Sequence, residues 1–123
     1  MLSALALHGA GSKASASYDF HQGAKNYSVY LVYDKTNAVA YVGITRQDLN
    51  ARLAQHGSRF ARLERYVSKL TYDEARAIET LIIERNPHLQ NWIRSLSPLR
   101  AWYSRAMSWA RSHMSKIGKS IRV

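Results

Sequence analysis

The sequence predicts an α+β fold, a small three-stranded antiparallel sheet flanked by helices and extended by a basic C-terminal helix. Three observations predict it. Two β-prone runs, Tyr27–Tyr33 (YSVYLVY) and Ala38–Thr45 (AVAYVGIT), bracket the turn-forming DKTN of Asp34–Asn37 and read as a β-hairpin. Thr71, followed three residues later by Glu74, forms a capping box ahead of apolar residues at helical spacing. The stretch from Trp92 to Val123 holds seven basic and no acidic residues, and apolar residues from Leu99 to Ile117 form one helical stripe.

Taken in order, residues 1–25 are rich in Gly, Ala and Ser and read as a linker or leader, at the cut edge of a longer protein. Residues 26–123 read as one domain, with its core over 27–91 and a basic helix over 97–117. Gly43, inside the second β-prone run, marks a bulge or a place where another backbone or a ligand comes close. Asp48 can cap a short helix from Leu49 to His56, whose Leu49 and Leu53 face the core while Arg52 and His56, four apart, share a face. Ala61–Ser68 alternates Leu63, Arg65 and Val67 with Arg62, Glu64 and Tyr66, which suits a third strand. A helix from Tyr72 to Arg85 turns Ala75, Ile78, Leu81 and Ile82 inward and ends before Pro87. The last helix is expected from Ser97, with Pro98 in its first turn, to about Lys116. Its stripe is Leu99, Trp102, Tyr103, Ala106, Ala110, Met114 and Ile117, flanked by Arg100, Arg105, Arg111 and Lys116.

A chain of 123 residues fits one compact domain, and 46% hydrophobic with 21% charged residues is too apolar for disorder throughout. Eighteen Lys and Arg against eight Asp and Glu give a net charge of +10 and a pI near 10.2. A domain this basic favours a polyanionic partner, with nucleic acid ahead of anionic membranes and acidic proteins. The lack of cysteine excludes disulfides, thiolate zinc sites and thiol nucleophiles. No apolar run approaches the ~18 residues of a membrane span. The N-terminal apolar stretch has no basic residue ahead of it and makes a poor secretory signal.

The tripeptides Ser28-Val29-Tyr30 and Tyr41-Val42-Gly43 have ten residues between them. Thr45 follows, then Arg52 and His56 as R-x-x-x-H, Glu79 within EARAIE, and Pro87 and Asn91 as P-x-x-x-N. In this order and on these elements the residues resemble the GIY-YIG nucleases, with Ser28 in place of the family's glycine and Val42 in place of isoleucine. The resemblance implies a metal-dependent endonuclease that hydrolyses phosphodiester bonds of DNA, with RNA the alternative. It implies that Tyr30 activates the attacking water and that Glu79 holds Mg2+ or Mn2+. Tyr41 would orient the phosphate or help the base, His56 assist proton transfer or touch phosphate, and Asn91 position its neighbours.

The chemistry needs such residue types on general grounds. Arginine offers phosphate a planar fork of donors and stays charged, which suits Arg52. A lone carboxylate suits a hard cation that keeps its waters. A tyrosine base, with an ordinary pKa about 10, needs a nearby cation, which Arg52 and the metal would supply.

Each residue alone has a plainer explanation. Tyr30 and Tyr41 would pack at a strand, Arg52 and His56 would line a solvated helix face, Glu79 would pair with Arg76 or Arg85, and Asn91 would close a turn. Their joint occurrence in family order is what favours the chemical reading. His8, His21, His88 and His113 lack metal-ligand spacing. The LSP-then-Trp-rich basic tail resembles the C-terminal toxin domains of bacterial secreted polymorphic toxins, which implies an acidic immunity protein as partner and action in a bacterial cytoplasm after delivery within a larger protein. The rivals are a non-cleaving nucleic-acid-binding module, a repair, restriction or mobile-element nuclease, and a membrane-active helix carrying Trp102, Met107 and Trp109.

Overall fold

Strand β1 (Tyr27–Asp34) is buried at every residue from Ser28 to Val32, which a strand achieves when both faces of its sheet are covered. The computed structural model describes residues 15–46, 48–56, 60–90 and 95–123. It places β1 in the middle of a three-stranded antiparallel sheet, between β2 (Val39–Thr45) and β3 (Phe60–Leu70). The expected α+β class is what folds, with three helices among the described residues: α1 (Leu49–His56), α2 (Tyr72–Arg85) and α3 (Tyr103–Lys116). No helix among the described residues is long and apolar enough to cross a membrane.

The two sheet faces build two cores. Val29, Leu31, Val42 and Val67 pack with Ala75, Ile78, Leu81 and Ile82 of α2 in the larger one, which α3 joins from the far side of α2. Tyr30, Val32 and Phe60 pack with Leu49 and Leu53 of α1 in the smaller one. The sheet is therefore covered by α2 on one side and by the short α1 on the other.

Local chemistry sets the joints. In the β1–β2 turn Asp34 Oδ1 accepts from Thr36 N at 2.9 Å, Thr36 Oγ at 2.6 Å and Ala38 N at 3.1 Å, and Asn37 adopts φ 67°. Aspartate and asparagine suit such a turn because their side chains mimic backbone acceptors and tolerate the left-handed region. The expected capping box is present, with Thr71 Oγ accepting from Glu74 N and Glu74 Oε1 from Thr71 N. Gly118, at φ 70°, closes α3 as Lys119 N bonds Met114 O at 2.9 Å.

Two expectations are corrected. The linker read over residues 1–25 fails where it is described, because Tyr18 and Phe20 lie in the main core and Phe20 stacks on Trp102 with centroids 5.7 Å apart. Arg105 clamps this segment by donating to the carbonyls of Ala16 and Tyr18, at 2.7 and 2.6 Å from Nη2. Residues 1–14 lie outside the described residues.

The last helix begins at Tyr103 and not at Ser97. Ser97–Trp102 instead makes turns, with Arg100 N bonding Ser97 O and Tyr103 N bonding Arg100 O. Trp102 is fully buried against Tyr18 and Phe20, and the turns that bring it there leave Leu99 95% exposed. Ile117, also expected on the inner stripe, is exposed, and Met107 is buried beside Ala106, Ala110 and Met114.

Phe20→Ala is expected to lower unfolding stability by about 3–5 kcal/mol, the usual cost of emptying a buried aromatic site. Urea unfolding checks this, and a loss below about 1 kcal/mol would show the N-terminal segment to be a dispensable appendage.

Candidate active site

Tyr30 stands opposite Gly43 in the β1–β2 register. A Cβ at position 43 would lie 2.4 Å from both Cζ and Oη of Tyr30, so the phenol fills the space that a side chain there would take. The close approach expected at Gly43 is thus made by a tyrosine ring, and the β1–β2 irregularity falls elsewhere, between Val32 and Tyr33. Tyr41 pairs with Val32, two positions from Tyr30, and so projects on the same face of the sheet.

Helix α1 brings Arg52 to this face. Its Nε donates to Tyr30 Oη at 2.9 Å, and its Nη1 donates to Gln55 Oε1 at 2.6 Å, one turn along the helix. Burial pushes the Tyr30 pKa above its ordinary 10.0, while the Arg52 hydrogen bond and positive charge pull it down without cancelling the rise. Tyr41 and Glu79 also lie near enough to act electrostatically on the same hydroxyl, again upward.

Glu79 comes from α2 and is only 7% exposed. Burial pushes its pKa up to about 7, against the hydrogen bond from Ser95 Oγ and the charge of Arg76. Among the described residues no ion pair forms on Glu79, and Arg76 Nη1 bonds Asp73 Oδ1 at 2.8 Å instead. Of the six residues singled out in the sequence, Tyr30 and Arg52 are in direct contact, and Tyr41 and Glu79 lie within electrostatic reach of the Tyr30 hydroxyl. Asn91 lies outside the described residues, and of His56 only the backbone, ending α1, is described.

Glu79 is a buried carboxylate in a site of hydroxyl, amide and guanidinium groups. Among the described residues no three His, Cys, Asp or Glu gather as a metal cluster. This donor set fits a hard divalent cation held through one carboxylate, its other positions left to water and substrate oxygens.

A family model for the GIY-YIG catalytic domain matches residues 26–88, just over half of the chain. The chain belongs to this family. It is therefore a nuclease domain, a hydrolase whose substrate is nucleic acid. Searches of curated proteins and of solved structures return no significant match. The match to the GIY-YIG domain runs from just before β1 to just past α2, so the Tyr18–Phe20 segment and α3 are additions to it.

Sequence reasoning missed Ser95 and Gln55. Gln55 was within reach, at i+3 from Arg52 on a predicted helix, but Ser95 lies in an irregular segment and meets Glu79 only through the fold. His21, set aside for lacking metal-ligand spacing, bonds Glu74 at 2.7 Å at the start of α2, and that partnership tethers the N-terminal segment.

Gly43→Ala is expected to push the Tyr30 ring out of its slot, because the ring is fully buried and cannot swing aside without repacking. The expected result is a stability loss of about 1–3 kcal/mol with a larger proportional loss of nuclease activity. Thermal unfolding and a cleavage assay on the same preparation test it, and full activity in Gly43→Ala would show that the Tyr30 position is not critical.

Proposed function

We propose that the chain is a metal-dependent endonuclease that hydrolyses DNA phosphodiester bonds, with Tyr30, Arg52 and Glu79 as its principal catalytic groups. The observation that carries this reading is the Arg52 Nε hydrogen bond to Tyr30 Oη at 2.9 Å, made beside a buried Glu79 whose charge reaches the same hydroxyl. Tyr30 is the base for the attacking water. Arg52 lowers the cost of its phenolate and, with its remaining N–H groups, binds the scissile phosphate. Tyr41 orients that phosphate from the same face, and the family resemblance gives His56 and Asn91 assisting roles. Glu79 would hold Mg2+ or Mn2+, which when bound supplies charge stabilisation to the pentavalent phosphate. Exposed Arg65 stands opposite Tyr30 in the β1–β3 register and extends the phosphate contact along the sheet.

The +10 net charge supports binding to a polyanion in general. The basic, Trp-containing additions beyond the catalytic core support a role as an antibacterial toxin effector. That role brings with it action in a bacterial cytoplasm after delivery and neutralisation by an acidic immunity protein.

Purified protein incubated with supercoiled plasmid, and separately with total RNA, in magnesium or in chelator, tests the reading. The expected outcome is magnesium-dependent nicking of the plasmid, reduced at least a hundredfold in Glu79→Ala, on the order of what removing one transition-state contact costs. Tight binding without cleavage of either polymer would replace it with the binding-module reading. Growth arrest on intracellular expression, relieved by Glu79→Ala, is the expected result for the toxin role, and normal growth with active protein would remove it.

Because the Tyr30 pKa is raised above its ordinary value of 10.0, the fraction of phenolate grows throughout the neutral range. The single-turnover rate is therefore expected to rise with pH, up to about tenfold per unit, between pH 7 and 9. A flat profile in an enzyme still limited by chemistry would assign the base to another group.

A further inference from the structure

Glu79 has a neighbour that no motif of the family match contains. Ser95, seven residues past the matched region, donates its hydroxyl to Glu79 Oε1. The segment that carries it is fixed to α2 from both sides. Arg76 donates to the Ser95 carbonyl through Nε, at 3.1 Å, and through Nη2, and Leu96 N donates to Thr80 Oγ at 3.1 Å. Arg76, Thr80 and Leu96 are buried. Arg76 is itself oriented by Asp73, at 2.8 Å, whose other oxygen accepts the Tyr18 hydroxyl at 2.5 Å. On one stretch of α2, therefore, Arg76 and Thr80 hold the backbone of residues 95 and 96 while Glu79, between them, receives the Ser95 hydroxyl.

We propose that Ser95 is a positioning residue for Glu79, holding Oε1 so that the carboxylate presents Oε2 to the divalent cation in a single orientation. The proposal rests on the reading of Glu79 as the metal carboxylate. Physically, a buried carboxylate can rotate about its last bonds, and each added hydrogen bond narrows that rotation before the cation arrives. Groups hydrogen-bonded to a metal ligand commonly change metal affinity or activity 10–100-fold when removed. The backbone of residue 95 is anchored independently of its hydroxyl, so removing the hydroxyl should leave the segment in place.

Mn2+ binding, measured by electron paramagnetic resonance of the free ion, and Mn2+ activation of plasmid cleavage are compared for wild type, Ser95→Ala, Ser95→Cys and Ser95→Thr, with thermal unfolding as the control for folding. Ser95→Ala and Ser95→Cys are expected to raise both the Mn2+ Kd and the half-activating concentration about tenfold. The KM for DNA at saturating metal should be unchanged, and Ser95→Thr, which keeps a hydroxyl, should restore wild-type metal binding. Folded Ala and Cys variants with wild-type Mn2+ affinity and activation would overturn the proposal while leaving the nuclease reading intact. Wild-type protein that neither binds Mn2+ nor cleaves would overturn both.

Discussion

The missing side chain at position 43 governs the geometry of the candidate site. Strand β1 is central and covered on both faces, so the Tyr30 ring cannot lie on open surface and must find room within the sheet layer. The room is above the Gly43 backbone, where a Cβ would overlap the phenol. That slot puts Oη where Arg52 of α1 can donate to it. Small changes in strand register would turn Tyr30 to the other face and dissolve the arrangement, because side-chain direction alternates with every residue.

Two glutamates on α2, five positions apart, sit in environments that shift their acidities in opposite directions. Both are buried, and in both burial works against the charged form. At Glu74 the hydrogen bonds from His21, Thr71 N and Lys25 together outweigh burial, and its pKa falls below the ordinary value. At Glu79 the Ser95 hydroxyl and the Arg76 charge do not, and its pKa climbs to about 7. A carboxylate that the protein itself has left under-compensated is suited to a cation supplied from outside.

The segments beyond the GIY-YIG match depend on one another. Phe20 and Tyr18 cover Trp102, Arg105 of α3 holds the carbonyls of residues 16 and 18, and the C-terminal tail returns to bond Asn86 through Ile121 O and Val123 N. Neither end could bury its aromatic groups without the other. They also reach toward the site, since Tyr18 bonds Asp73, Asp73 bonds Arg76, and Arg76 holds the segment that carries Ser95.

The hairpin, the capping box and the span of α2 were legible because each depends on residues close in sequence. Turn-forming Asp34 and Asn37, reciprocal caps at Thr71 and Glu74, and a 3.6-residue apolar period act locally. That Tyr30, Tyr41, Arg52 and Glu79 would lie near one another was legible for a related reason, their spacing on those elements. The start of α3 and the role of residues 15–25 were not legible. Periodicity continued through Leu99 in the sequence, but the burial of Trp102 against Phe20, about eighty residues away, decided where the helix could begin. By itself the sequence determined the hairpin, α1 and α2, their order and the candidates for chemistry, all of which rest on local spacing. Only the tertiary structure decided that the Tyr30 ring fills the place of the Gly43 side chain, that Glu79 is buried, and that Ser95 meets it, because those are contacts between segments whose meeting no local pattern encodes.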